Sequence, residues 1–273
     1  MSVTSPTPAI TSAPAMWLAD VRAVVIRNLI RMRRSPDIIV FTVLQPIMFV
    51  LLFSQVFGGA IDIPGMSYEN FLMPGIFVQS AIFGSTTSGL FIANDKKDGL
   101  ISRYKTLPMA RSAVVFGRTV ADITLASVTL LVMVVTGLAI GWRPESFWGF
   151  VQGYLLLLLF VWAFSWLMVT LGLVVPRPEA MNSATFITLF PLTFLSNAFV
   201  PQETMPTPLR VFAEWNPLSA LVQALRDLFG NNGALETPDV WSLQNPVALV
   251  LVGAALFFVV FCPLAVRAYD RKA

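Results

Sequence analysis

Long apolar runs, broken by short polar stretches, fill most of the chain. Ile38–Phe57 is about twenty residues without a charge, enough to cross a hydrocarbon core of about 30 Å at about 1.5 Å per residue. Comparable runs follow at Phe71–Ala93, Thr119–Gly141, Phe147–Val175, Ala180–Val200 and Val247–Val266. The pattern predicts an all-α integral membrane protein with six transmembrane helices. Gln45-Pro46 falls in the middle of the first run and Pro191 near the middle of the fifth, where each predicts a bend. The fourth run is long enough that it must tilt, bend or project.

Trp17–Arg34 has a different rhythm. Leu18, Val21, Val25, Asn28 or Leu29, and Met32 share one face by spacings of three and four; Asp20, Arg27, Arg31 and Arg34 share another. This predicts an amphipathic helix in the membrane interface, its arginines at the headgroups. It is either a plain anchor or a lever for the first span. Before it, residues 1–16 are rich in Ser, Thr, Pro and Ala and predict a disordered tail.

The polar stretch Asn94–Arg118 holds Lys96, Lys97, Arg103, Lys105, Arg111 and Arg118, six of the eighteen Lys and Arg residues. Within it, Gly99–Tyr104 predicts a short helix with Asp98 as N-cap, Leu100, Ile101 and Tyr104 as its apolar face, and Pro108 as its stop. Six spans put both termini on one side. That side carries fifteen Lys/Arg against three (Arg143, Arg210 and Arg226) and is therefore predicted to be cytosolic.

Composition narrows the chemistry. The chain is 12% charged, against about 25% in soluble domains, and 56% hydrophobic. It has no His, one Cys and no phosphate-cradling glycine loop, so neither catalysis by a histidine base, nor a cysteine metal site, nor ATP hydrolysis by this chain is expected. Asp122 follows Arg118 by four residues, the spacing of a helical ion pair. The middle of the second run is polar (Gln79, Ser80, Ser85, Thr86, Thr87, Ser88), which is either packing between helices or the lining of a pathway. With few ionisable groups at mid-depth, energy is expected to arrive from outside the bilayer, through Asn94–Arg118.

The stretches SPDIIVFTVLQPIMFVLLFSQVFGGAI, YENFLMPGIFVQ, DGLISRYKTLPMARSAVVFGRTVAD, FPLTFLSNAFVPQETMP and FAEWNPLSALVQALR, in that order, resemble the membrane subunit of ABC-2 type exporters. Within that family they are most similar to the daunorubicin/doxorubicin-resistance permease group. The resemblance covers residues 17–270. It implies a six-span half-transporter that dimerises with itself or a similar permease and docks on two copies of a separate ATP-binding subunit. ATP and Mg would sit on that subunit, and no cofactor in this chain. Trp17–Arg34 would be the interfacial connecting helix, and the NPLSALVQALR stretch would form extracellular re-entrant helices. The coupling helix region would use Asp95, Gly99, Leu100, Arg103, Leu107, Pro108, Arg111 and Arg118; the family often has Glu where Asp95 stands. A substrate route along the second and fifth spans would use Phe77, Ser80, Phe83, Thr87, Asn182, Phe186 and Phe194.

The function these readings predict is ATP-driven export of hydrophobic drugs or similar small molecules across the plasma membrane. Export of a lipid, glycolipid or polysaccharide precursor is the alternative, and a non-transport membrane scaffold is a third. Membrane lipid is an expected partner and nucleic acid is not.

Overall fold

The computed structural model describes residues 13–34, 36–59, 63, 65–200, 202, 205–233 and 239–271. The regular elements among them are helices: α1 (Ala13–Arg33), α2 (Pro36–Phe57), α3 (Tyr68–Lys97), α4 (Leu100–Lys105), α5 (Arg111–Ile140), α6 (Phe147–Val174), α7 (Pro178–Phe194), α8 (Thr207–Trp215), α9 (Pro217–Phe229), α10 (Trp241–Gln244) and α11 (Pro246–Arg271). α3, α5, α6 and α11 are each long and apolar enough to cross a membrane. α1 starts at Ala13, and the rest of the predicted tail lies outside the described residues.

α3 is the central helix. Of its apolar window 72% is buried, against 11% for α11 at the periphery. Small residues make this possible. A Cβ on Gly172 of α6 would run into the carbonyl oxygen of Gly89, and one on Gly89 would meet the Met168 carbonyl. The two backbones therefore touch, as small residues allow where helices pack in a membrane.

The run predicted to continue to Val200 ends early, because α7 stops at Phe194. Pro191 within it cannot donate to the preceding turn. Asn216 Nδ2 takes the Leu192 and Leu195 carbonyls released at the helix end (2.7 and 3.4 Å). The same Asn216 caps α9, its Oδ1 accepting the Leu218 N–H at 2.9 Å. Ser196–Phe199 are consequently buried rather than helical.

The predicted NPLSALVQALR stretch forms most of a single helix, α9, with Asn216 as the cap between it and α8, and α9 enters the core. Its Arg226 is buried, donates to the Phe71 and Asn197 carbonyls (3.1 and 2.8 Å) and lies 3.7 Å over the Phe71 ring. Trp142, read from sequence as part of a short connection, is fully buried. Its indole Nε1 donates to Asn231 Oδ1 at 2.8 Å, and its ring meets Phe77 and Phe229 edge-on.

Candidate functional site

The stretch rich in basic residues folds into a turn, a short helix and the start of α5. α3 closes at Asp98, whose N–H bonds the Asn94 carbonyl. Gly99 then adopts φ 71°, a left-handed conformation that favours glycine, and serves as the N-cap of α4. Asp98, predicted for that role, ends the helix before it instead. α4 also turns its predicted apolar face inward. Ile101 is buried with Val24, Ile92 and Val115, and Leu100 and Tyr104 are half-buried. The surface left outward consists of Gly99, Ser102, Arg103, Leu107, Pro108 and Arg111, with Leu107 45% exposed.

Six contacts hold this platform. Trp17 Nε1 donates to Ser112 Oγ at 3.0 Å, and Asp20 accepts the Ala110 N–H at 3.0 Å. Val24 packs on Gly117, where a Cβ would collide with it. Arg27 and Arg31 both donate to Asp95, on the last turn of α3. From the far side, Lys105 Nζ donates to the Asp270 carbonyl at 2.7 Å.

Asp20, Arg27 and Arg31 of the predicted polar face of α1 thus meet protein, while Arg34 stays exposed. Asp95 is 5% exposed, and the charge it would otherwise bury alone is matched by two guanidinium groups. Arg27 also lies 5.0 Å over the Tyr104 ring, and Arg31 5.0 Å over Phe91. Burial raises the Tyr104 phenol above its ordinary pKa, with Arg27 pulling the other way. Sequence reading missed Arg27 and Arg31 as functional; their spacing of four on one face was the available signal.

Arg118 lies deeper than the other predicted coupling residues. It pairs with Asp122 at 2.7 Å; both are buried, and its guanidinium lies 4.4 Å over the Phe91 ring. The i,i+4 pair predicted from the spacing is therefore present. Thr129 Oγ1, nearby on α5, has no hydrogen-bond partner among the described residues.

The predicted route residues separate into three places. Ser80, Phe83 and Thr87 line a cavity of about 200 Å³ between α2 and α3, completed by Gln45, Pro46, Phe49, Gln79, Gly84 and Thr86. None of its lining residues is charged. Thr86 and Thr87 donate to carbonyls of their own helix (2.7 and 2.6 Å), so their hydroxyl oxygens remain as acceptors. Asn182 and Phe186 are exposed on α7, with Phe186, Phe190 and Phe194 stacked in succession. Phe77 lies apart from both, against Trp142 and Phe229 in the core. The α2 wall was missed, although Gln45-Pro46 marked it as a polar break in an apolar run.

Residues 19–229 match the family model described as ABC-2 type transporter. The chain is 33% identical over 247 residues to the daunorubicin resistance ABC transporter permease protein DrrB1 of Streptomyces coeruleorubidus, covering 90% of this chain and 84% of the relative. It is 25% identical over 209 residues to the doxorubicin resistance ABC transporter permease protein DrrB of Mycobacterium tuberculosis (76% of this chain, 72% of the relative). A relative from Cyanophora paradoxa named only as a transport permease, ycf38, is 25% identical over 256 residues, covering 88% of each chain.

Proposed function

The chain belongs to the ABC-2 type transporter family, and on that premise we propose that it is the membrane-spanning subunit of an ATP-driven exporter of hydrophobic or amphiphilic small molecules. α2 and α7 complete six spans, both termini face the cytosol, and two copies of a separate ATP-binding subunit dock on a dimer of permeases. The observation that carries this is the clasp of Arg27 and Arg31 on Asp95. It ties the interfacial helix to the central helix, and through Arg27 over the Tyr104 ring to α4. A push on Arg103 or Leu107 from a docked subunit reaches α3 through these contacts, and α3 forms a wall of the uncharged cavity.

The drug-resistance names of two relatives support a drug-like small molecule, and the absence of charge in the cavity lining supports an amphiphilic rather than a highly charged one. The test is reconstitution of the permease with its ATP-binding subunit in vesicles. Daunorubicin-stimulated ATP hydrolysis with vectorial drug movement is expected. Stimulation by a lipid-linked precursor alone would favour the alternative substrate class. ATP hydrolysis that no substrate stimulates would favour a scaffold.

A further inference from the structure

A second cavity, of about 530 Å³, opens where α3 and α6 end and α7 begins, lined by Ala93, Lys96, Lys97 and Pro176 to Glu179. Lys96 Nζ donates to the Leu173 and Val175 carbonyls at 3.0 Å each, which fixes its ammonium at the wall. Lys97 makes one ion pair, to Glu179 at 3.5 Å, with both side chains mostly exposed and so readily separated. The Arg177 side chain is exposed, and no hydrogen bond or ion pair holds its guanidinium among the described residues. Three cations therefore face one carboxylate.

The surroundings are apolar. Leu171 and Val174 are exposed on the last turn of α6, and Phe186 and Ile187 are 59% and 73% exposed two turns along α7. We propose that this cavity binds the phosphate headgroup of an anionic glycerophospholipid, whose acyl chains lie along these exposed faces of α6 and α7. A phosphodiester matches the excess of positive charge. The flanking apolar surface suits chains in the bilayer and gives nothing to a soluble acidic peptide. The leaflet, though not the binding, rests on the cytosolic assignment made above.

The test uses the purified full chain in nanodiscs of phosphatidylcholine doped with phosphatidylglycerol, with retention of the anionic lipid read by native mass spectrometry. Phosphatidylglycerol should be retained selectively. The Lys97→Gln/Arg177→Gln variant should lose about fivefold per charge removed, the equivalent of about 1 kcal/mol each. Glu179→Gln, which adds net positive charge, should retain the lipid more tightly, so the outcome does not depend on a weakened variant. Equal retention of phosphatidylcholine, or unchanged retention in both variants, would overturn the proposal. Full displacement by millimolar inorganic phosphate would also overturn it, by showing an anion site with no lipid component. The readout needs neither an ATP-binding subunit nor transport, so its failure and the failure of the exporter reading are separable.

Discussion

Asp95 and Arg27 stand 68 residues apart in sequence and 3.2 Å apart in space. Arg31 completes the clasp on the other carboxylate oxygen. The pairing is half-sheltered: the acid is buried, while the two arginines keep about 30% of their side-chain surface. Its loss should cost an amount between the exposed and buried limits for ion pairs, on the order of 1–3 kcal/mol. Asp95→Ala should lower the unfolding temperature in detergent and speed proteolysis after Arg33 or Arg34, because α1 is released. Asp95→Glu should restore both. Wild-type proteolysis in Asp95→Ala would show that α1 is held by its other contacts.

The Arg118–Asp122 pair should behave differently, since both groups are buried. Removing one partner strands the other, at a cost of about 3–5 kcal/mol, whereas replacing both with apolar residues is close to neutral. Asp122→Ala should therefore be more destabilising than Arg118→Met/Asp122→Leu. A double-mutant cycle by thermal unfolding measures this directly. A double replacement as harmful as the single one would mean that the pair organises its neighbours beyond its own charge.

Two glycines on α3 and α6 separate folding from the cavity. A Cβ on Gly84 meets nothing within 4 Å, and Gly84 lines the cavity between α2 and α3. Gly84→Ala should insert and assemble normally yet change which compounds are exported, as should Thr87→Ala. Gly172→Ala collides with the Gly89 backbone and should impair folding itself. Yield by fluorescence-detected size exclusion, followed by efflux across a compound panel, distinguishes the two. An unchanged profile in Gly84→Ala and Thr87→Ala would make the α3 hydroxyls packing residues only.

Orientation has its own test. On a Cys262→Ala background, Ser102→Cys should react with an impermeant thiol reagent only after permeabilisation, and Asp239→Cys from outside on intact cells. Both positions are exposed. The reverse pattern would put α4 on the wrong face for a cytosolic ATP-binding subunit.

Much of the architecture was legible because it follows from local patterns. Apolar length marked α3, α5, α6 and α11, and the spacing of Arg118 and Asp122 marked their pair. Pairings across the chain were not legible. Periodicity placed Arg27 and Arg31 on a polar face, but only the fold brings Asp95 to them. Trp142 looked like loop because its partners, Phe77, Phe229 and Asn231, lie on distant segments. α7 ended early for a similar reason, since Asn216, far along the chain, donates to the Leu192 and Leu195 carbonyls left free at the helix end. The predicted coupling residues divide along the same line. Asp95 and Arg118 face inward, and Arg103, Leu107, Pro108 and Arg111 face outward.

The central claim is that the outward surface of α4 receives the force of ATP hydrolysis and the Asp95 clasp passes it to α3. Arg103→Ala/Leu107→Ala changes two exposed side chains outside every span, so insertion should be normal. Docked residues of this kind cost on the order of 1–3 kcal/mol at a protein interface when truncated. The most direct measurement is ATP hydrolysis and drug efflux together, in vesicles carrying the permease and its ATP-binding subunit, double variant against wild type. Loss of co-purification of the ATP-binding subunit, or hydrolysis that continues without efflux, is the predicted result. Wild-type efflux per ATP hydrolysed in the variant would contradict it.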